Sequence, residues 1–194
     1  MPIIDINGTP LAHYSLLDPS ISTIEFGAGK GFFGKKEFPS CYTTDREIPS
    51  VEHFSRFPND YETRECHFID ATCDYLNLEL NGHTFNHIVL CNPYGIGFSG
   101  RNNTKYFLMI ANAILNPDGI ITILGNSTNP WSTYSNIEKH YKKLVEDKEL
   151  EDLFTHEVES INDNHRYRLD HCFYRTGFKE PTYPNQLIKI KKIA

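Results

Sequence analysis

Runs rich in β-branched and aromatic residues recur along the chain, each closed by glycine, proline, asparagine or aspartate. They occupy residues 21–26 (Ile-Ser-Thr-Ile-Glu-Phe), 41–45 (Cys-Tyr-Thr-Thr-Asp), 66–70 (Cys-His-Phe-Ile-Asp), 85–91 (Phe-Asn-His-Ile-Val-Leu-Cys) and 119–124 (Gly-Ile-Ile-Thr-Ile-Leu). Strands covered on both faces read this way, because neither face has to be polar. Between the last two, Phe107, Ile110, Ala111, Ile114 and Leu115 recur at helical spacing, with Thr104 as N-cap and Asn116-Pro117-Asp118-Gly119 as the stop. Such a helix carries the chain over one face of a sheet into a parallel neighbour. Ser135 and Glu138 have the spacing of a capping box, ahead of a helix whose inner face is Ile137, Tyr141, Leu144 and Val145. Residues 153–161 and 166–174, around Asn162-Asp163-Asn164, read as two strands joined by a turn. The pattern predicts an α/β three-layer sandwich with a mostly parallel seven-stranded sheet and a C-terminal antiparallel hairpin.

Composition acts mainly by exclusion. The 194 residues are 39% hydrophobic and 23% charged, and a chain of this size buries roughly 70% of its unfolded surface in one core. No repeat, charge block or Pro/Ser-rich linker divides it, so residues 1–194 read as a single domain with its core over about 21–178. The longest apolar stretches, near 107–115 and 120–124, fall short of the roughly 20 residues that span a bilayer. The start, Met1-Pro-Ile-Ile-Asp-Ile-Asn, lacks a secretion signal's basic region and apolar core. The expected location is the cytoplasm, with no membrane association. Cys41, Cys66, Cys73, Cys91 and Cys172 are odd in number and form no Cys-x-x-Cys pair, which points to reduced thiols and to no metal site. A net charge of -6 argues against a duplex nucleic-acid binder, which needs a basic face. The basic groupings Lys30/Lys35/Lys36/Arg46 and Lys189/Lys191/Lys192 read as solvated surface.

In parallel α/β sheets, ligands bind beyond the carboxyl ends of the strands, so residues just after each strand are the first candidates for chemistry. After the first strand comes Glu25-Phe26-Gly27-Ala28-Gly29-Lys30-Gly31, a turn that lets a ligand approach the backbone closely. Asp45 follows the second strand as a carboxylate able to accept both hydroxyls of a ribose. Asp70 follows the third and is able to accept a purine's exocyclic amine; Asp74, four residues on, takes that place if the strand ends later. Asn92-Pro93-Tyr94-Gly95 follows the fourth, and Trp131, after the fifth, either walls a pocket or packs.

In these elements the chain resembles the class I S-adenosylmethionine-dependent methyltransferases, over residues 21–178. Glu25-x-Gly27-x-Gly29-x-Gly31 is similar to the family's first motif, beside the methionine part of the cofactor. Asp45 matches the ribose-binding acid, and Asp70 with Ala71 matches the acid and following amide that recognise adenine. Asn92-Pro93-Tyr94 is similar to the Asn/Asp-Pro-Pro-Tyr motif of amino-group methyltransferases, in which the Asn oxygen and a Pro carbonyl accept hydrogen bonds from the target NH₂ and the aromatic ring stacks on the substrate. The resemblance implies S-adenosylmethionine as cofactor and transfer to an amino or amide nitrogen. This chain has one proline there, so Tyr94 stands at the second-proline position and Gly95 at the aromatic one. Tyr94 or Phe98 is left to stack.

Two other readings compete. Gly29-x-Gly31-x-x-Gly34 also fits a dinucleotide fingerprint in a shifted register, as in an NAD(P)-dependent oxidoreductase, although Glu25, Asp70 and the Asn-Pro-Tyr loop find no role in it. Alternatively, a silent methyltransferase scaffold acts by binding a protein with a basic surface, such as a toxin or enzyme, in keeping with the net charge of -6. The acceptor stays open among a nucleotide, an RNA, a protein and a metabolite.

Overall fold

Ile88 and Leu90 face one side of their strand and Val89 the other, and all three are fully buried. That alternation recurs across the sheet and requires helices on both faces. The computed structural model describes residues 3–4, 10–11, 20–28, 32–38, 40–45, 71–72, 83–170 and 182–193. Its elements are β1 (Ile3–Ile4), β2 (Pro10–Leu11), β3 (Thr23–Phe26), α1 (Phe32–Glu37), β4 (Cys41–Asp45), β5 (Ala71–Thr72), β6 (Phe85–Cys91), α2 (Arg101–Ile114), β7 (Leu115–Gly125), α3 (Tyr134–Glu146), β8 (Phe154–Ser160), α4 (Arg166–Asp170) and β9 (Gln186–Lys192).

The strands form one sheet in the order β2-β1-β5-β4-β3-β6-β7-β9-β8. From β5 to β7 all pairs are parallel, whereas β9 runs antiparallel to both β7 and β8. The chain moves outward from β3 to β4 and β5, then returns to lay β6 on the other side of β3. The strand order therefore reverses between β3 and β6, the place at which sheets of this kind bind ligands. On one face Ile24, Phe26, Ile88, Leu90, Ile121 and Ile123 pack with Phe107, Leu108 and Ala111 of α2 and Ile137 and Tyr141 of α3. On the other, Val89, Leu124 and Leu187 pack with Phe33 of α1 and Ile161, with Tyr167 of α4 against them.

Several expectations change. Among the described residues the sheet has nine strands rather than the seven expected, because the two-residue β1 and β2 extend its edge. Residues 166–170 form α4 and not a hairpin strand, and β8 pairs instead with β9. In Gln186-Leu-Ile-Lys-Ile-Lys-Lys, Ile188 and Ile190 enter the core on the α2/α3 face and Leu187 the core on the opposite face. The basic tail is accordingly part of the sheet. Lys191 pairs with Asp118 at 2.8 Å, and Lys192 donates to the carbonyls of Asn112 and Leu115 at the end of α2. Helix α2 starts at Arg101, so Thr104 sits in its first turn, donating to the Gly100 carbonyl, and is not the cap. The capping box at Ser135 is also absent: Thr133 occupies the N-cap with no side-chain bond to the backbone. Cys41 is buried and Cys91 half-buried, and the other cysteines lie outside the described residues. No described helix is long and apolar enough to cross a membrane.

Candidate functional site

Glu25 is the penultimate residue of β3, flanked by β4 and β6 in the sheet and with α1 against its carboxyl, and it is fully buried. Its backbone carbonyl accepts the Thr44 hydroxyl at 2.9 Å. Its Oε2 accepts the backbone amide of Gly34 in α1 at 3.0 Å, while Oε1 is buried with no partner among the described residues. Gly34 is required by this approach, since a Cβ there would collide with Oε2 and lie 3.0 Å from Cys41 Sγ. Burial pushes the Glu25 carboxyl up from its ordinary 4.5 to about 8; the Gly34 amide opposes the shift and the nearby Asp45 charge adds to it. Burial, and then the Glu25 charge, likewise raise the Cys91 thiol.

The turn after β3 is tied to the next strand, with the Ala28 amide donating to the Thr44 carbonyl at 3.0 Å. That bond brings the turn at Gly27, where φ is +61°, beside the end of β4, which carries the half-buried Asp45. Ala71 stands opposite Thr44 on β5. Glu25, Gly27, Asp45 and Ala71 are thus gathered at the tips of three adjacent strands. Gly29, Gly31 and Asp70, and Asp74 with them, lie outside the described residues.

The other wall is built by two loops. After β6, Asn92 takes a left-handed φ of +46°, a region asparagine tolerates better than most residues, and its amide donates to the Leu124 carbonyl at 2.7 Å. After β7, residues 126–133 fold back against that loop. The Phe98 amide donates to the Trp131 carbonyl at 2.9 Å, and a Cβ on Gly97 would come within 2.6 Å of the same oxygen. Asn129 joins the two loops. Its Nδ2 donates to Asn92 Oδ1 at 2.8 Å and to the Pro93 carbonyl at 3.0 Å, and its Oδ1 accepts the Trp131 amide at 3.0 Å. Tyr94 is 88% exposed, its ring 5.9 Å from that of Trp131. Phe98 is not available to stack: it is fully buried edge-on against Phe107.

No family model and no curated protein matches the sequence. Solved structures match the fold. The 30S ribosomal A1408 methyltransferase from an uncultured bacterium aligns with 100% of this chain and 99% of its own, at TM-score 0.55 and 12% identity. The structure reported for conversion of a disulfide bond into a thioacetal group during echinomycin biosynthesis aligns with 88% of this chain and 76% of its own, at 0.56 and 8%. The plantazolicin methyltransferase in complex with a pentazolic desmethylPZN analog and SAH aligns with 93% and 80%, at 0.52 and 13%. The chain has the class I methyltransferase fold.

Along the sheet, Glu25, Gly27, Asp45 and Ala71 lie on or just after β3, β4 and β5, and Asn92, Pro93 and Tyr94 follow β6. Asn129 was not legible as a site residue, although the sequence carried a sign of it. Asn129-Pro130 repeats Asn92-Pro93 after the adjacent parallel strand, so both dipeptides reach the same end of the sheet.

Proposed function

We propose that this chain transfers the methyl group of S-adenosylmethionine to a primary amino or amide nitrogen on a planar acceptor. One observation carries the reading: Asn92 Oδ1 and the Pro93 carbonyl oxygen converge on a single NH₂ group, that of Asn129, at 2.8 and 3.0 Å. Two acceptors aimed at one nitrogen are what orienting a target amine demands.

The residues around β3 fit a cationic nucleoside. Glu25 keeps a buried oxygen with no partner among the described residues, and burial, with the Asp45 charge adding to it, raises its carboxyl to about 8. A positive ligand nearby relieves both effects. Asp45 suits the ribose hydroxyls, with Ala71, and Gly29, Gly31 and Asp70 from the sequence, completing the set that would hold the cofactor. S-adenosylmethionine supplies, when bound, an electrophilic methyl group on a sulfonium.

The chain's own groups do the rest. Asn92 Oδ1 and the Pro93 carbonyl accept both N–H bonds, which directs the nitrogen lone pair out of the acceptor plane. The same oxygens stabilise positive charge as it grows on that nitrogen, in a site where water competes poorly. Tyr94 offers an exposed ring face for a planar acceptor, with Trp131 beside it.

The test uses cofactor labelled in its methyl group, incubated with the protein and fractionated cell extract. Label should enter one acceptor fraction, and Asn92→Ala should reduce it by roughly 100-fold while the protein still binds S-adenosylhomocysteine. Binding of that product with no labelled fraction would defeat the transfer reading.

A further inference from the structure

The two oxygens that would grip an incoming amine are already in use. Asn129 is only 8% exposed, and the orientation of its amide is settled by its neighbours. The Pro93 carbonyl can only accept and the Trp131 backbone N–H can only donate, so Nδ2 faces the Asn92–Pro93 pair and Oδ1 faces Trp131. The loop around it is anchored. The Asn129 backbone N–H donates to the Asn126 carbonyl at 2.8 Å, the Ser132 backbone N–H donates to the Asn129 backbone carbonyl at 3.1 Å, and Asn136 Nδ2 donates to the Pro130 carbonyl at 2.7 Å. The amide is therefore placed by the fold.

A second nitrogen cannot bond both oxygens along the same directions while Nδ2 remains, because the two nitrogens would have to occupy the one position that lies at hydrogen-bond distance, 2.8 and 3.0 Å, from both. We propose that Asn129 is a specificity-determining gate: its amide stands in for the substrate NH₂ and swings out before an acceptor is gripped. The gate rests on the amine-transfer reading above and adds a selection rule to it. An acceptor with two N–H groups on one nitrogen restores both bonds that Asn129 gives up, whereas a hydroxyl or a secondary amide restores one at most and leaves a buried oxygen unsatisfied. The ligand class is a planar primary carboxamide or an aromatic exocyclic amine, with Tyr94 and Trp131 covering its ring. Until such a group arrives, Asn129 keeps the pair bonded and water out.

Benzamide, adenosine and N,N-dimethylbenzamide serve as probes, titrated calorimetrically into the wild type and Asn129→Ala, with S-adenosylhomocysteine titrated in parallel. Benzamide and adenosine should bind Asn129→Ala at least ten-fold more tightly than the wild type. N,N-dimethylbenzamide, which has no N–H, should show no gain. A second measurement needs no variant: the Asn129 side-chain NH₂ of the wild type should exchange with solvent slowly, and at least ten-fold faster in 10 mM benzamide. No gain in the variant, or protection unchanged by benzamide, overturns the gate. If S-adenosylhomocysteine binds and benzamide shows no gain, the gate falls alone; if benzamide gains and S-adenosylhomocysteine binds neither protein, methyl transfer falls and the gate stands.

Discussion

Gly34 donates its backbone amide to one oxygen of Glu25 at 3.0 Å and leaves the other buried without a partner among the described residues. The half-satisfied carboxyl makes stability depend on pH in a defined direction. Its folded value, about 8, lies above the ordinary 4.5 of an unfolded chain. Between those values the native protein holds a proton that the unfolded chain has lost, so this contribution is complete below pH 4.5 and is lost as pH rises toward 8. The slope is at most about 1.4 kcal/mol per pH unit. Glu25→Gln should flatten it, read as the difference between wild type and variant in urea unfolding across that range; parallel curves would contradict the assignment.

His87 acts on the acid side. Burial pushes it down from 6.5 to about 4, and its Nε2 lies 2.7 Å from the Thr122 hydroxyl. Here the folded value lies below the unfolded one, so the stability contribution is present above pH 6.5 and is lost as pH falls through 4. His87→Gln should remove that acid-side loss in the same unfolding series.

Gly34→Ala places a Cβ against Glu25 Oε2 and Cys41 Sγ. Overpacking of this kind costs about 1–3 kcal/mol. Thermal unfolding should show it, and a melting temperature equal to wild type would mean that the Glu25–Gly34 contact is looser than described.

Tyr94→Ala removes a side chain that is almost wholly exposed. Stability should change by no more than about 0.5 kcal/mol, whereas benzamide binding in an Asn129→Ala background should weaken by roughly ten-fold as its stacking surface is lost. Unaltered binding would remove Tyr94 from the acceptor wall.

The parallel centre of the fold was legible because β6 and β7 are apolar on both faces, a pattern that only a doubly covered strand produces. The C-terminal region misled for a local reason. Asn162-Asp163-Asn164 has turn chemistry, but the partner that satisfies β8 is a strand 26 or more residues further on, and alternation alone does not say which strands meet. The Asn-Pro loop could be placed at the strand tips from the order of elements. What occupies its acceptors could not, because the Asn129 contact spans 37 residues and depends on how two loops lie against each other. Phe98 failed as a stacking candidate because position along the loop does not reveal which side chains turn inward to meet α2.

The central claim is that the crevice beside Glu25 and Asp45 holds a sulfonium nucleoside. Calorimetric titration of S-adenosylmethionine tests it most directly. The expected result is saturable one-site binding to the wild type, weakened at least ten-fold by Asp45→Ala and unchanged within about two-fold by Asn92→Ala, each factor of ten being about 1.4 kcal/mol. No heat of binding at millimolar ligand, with the protein folded, would contradict the claim.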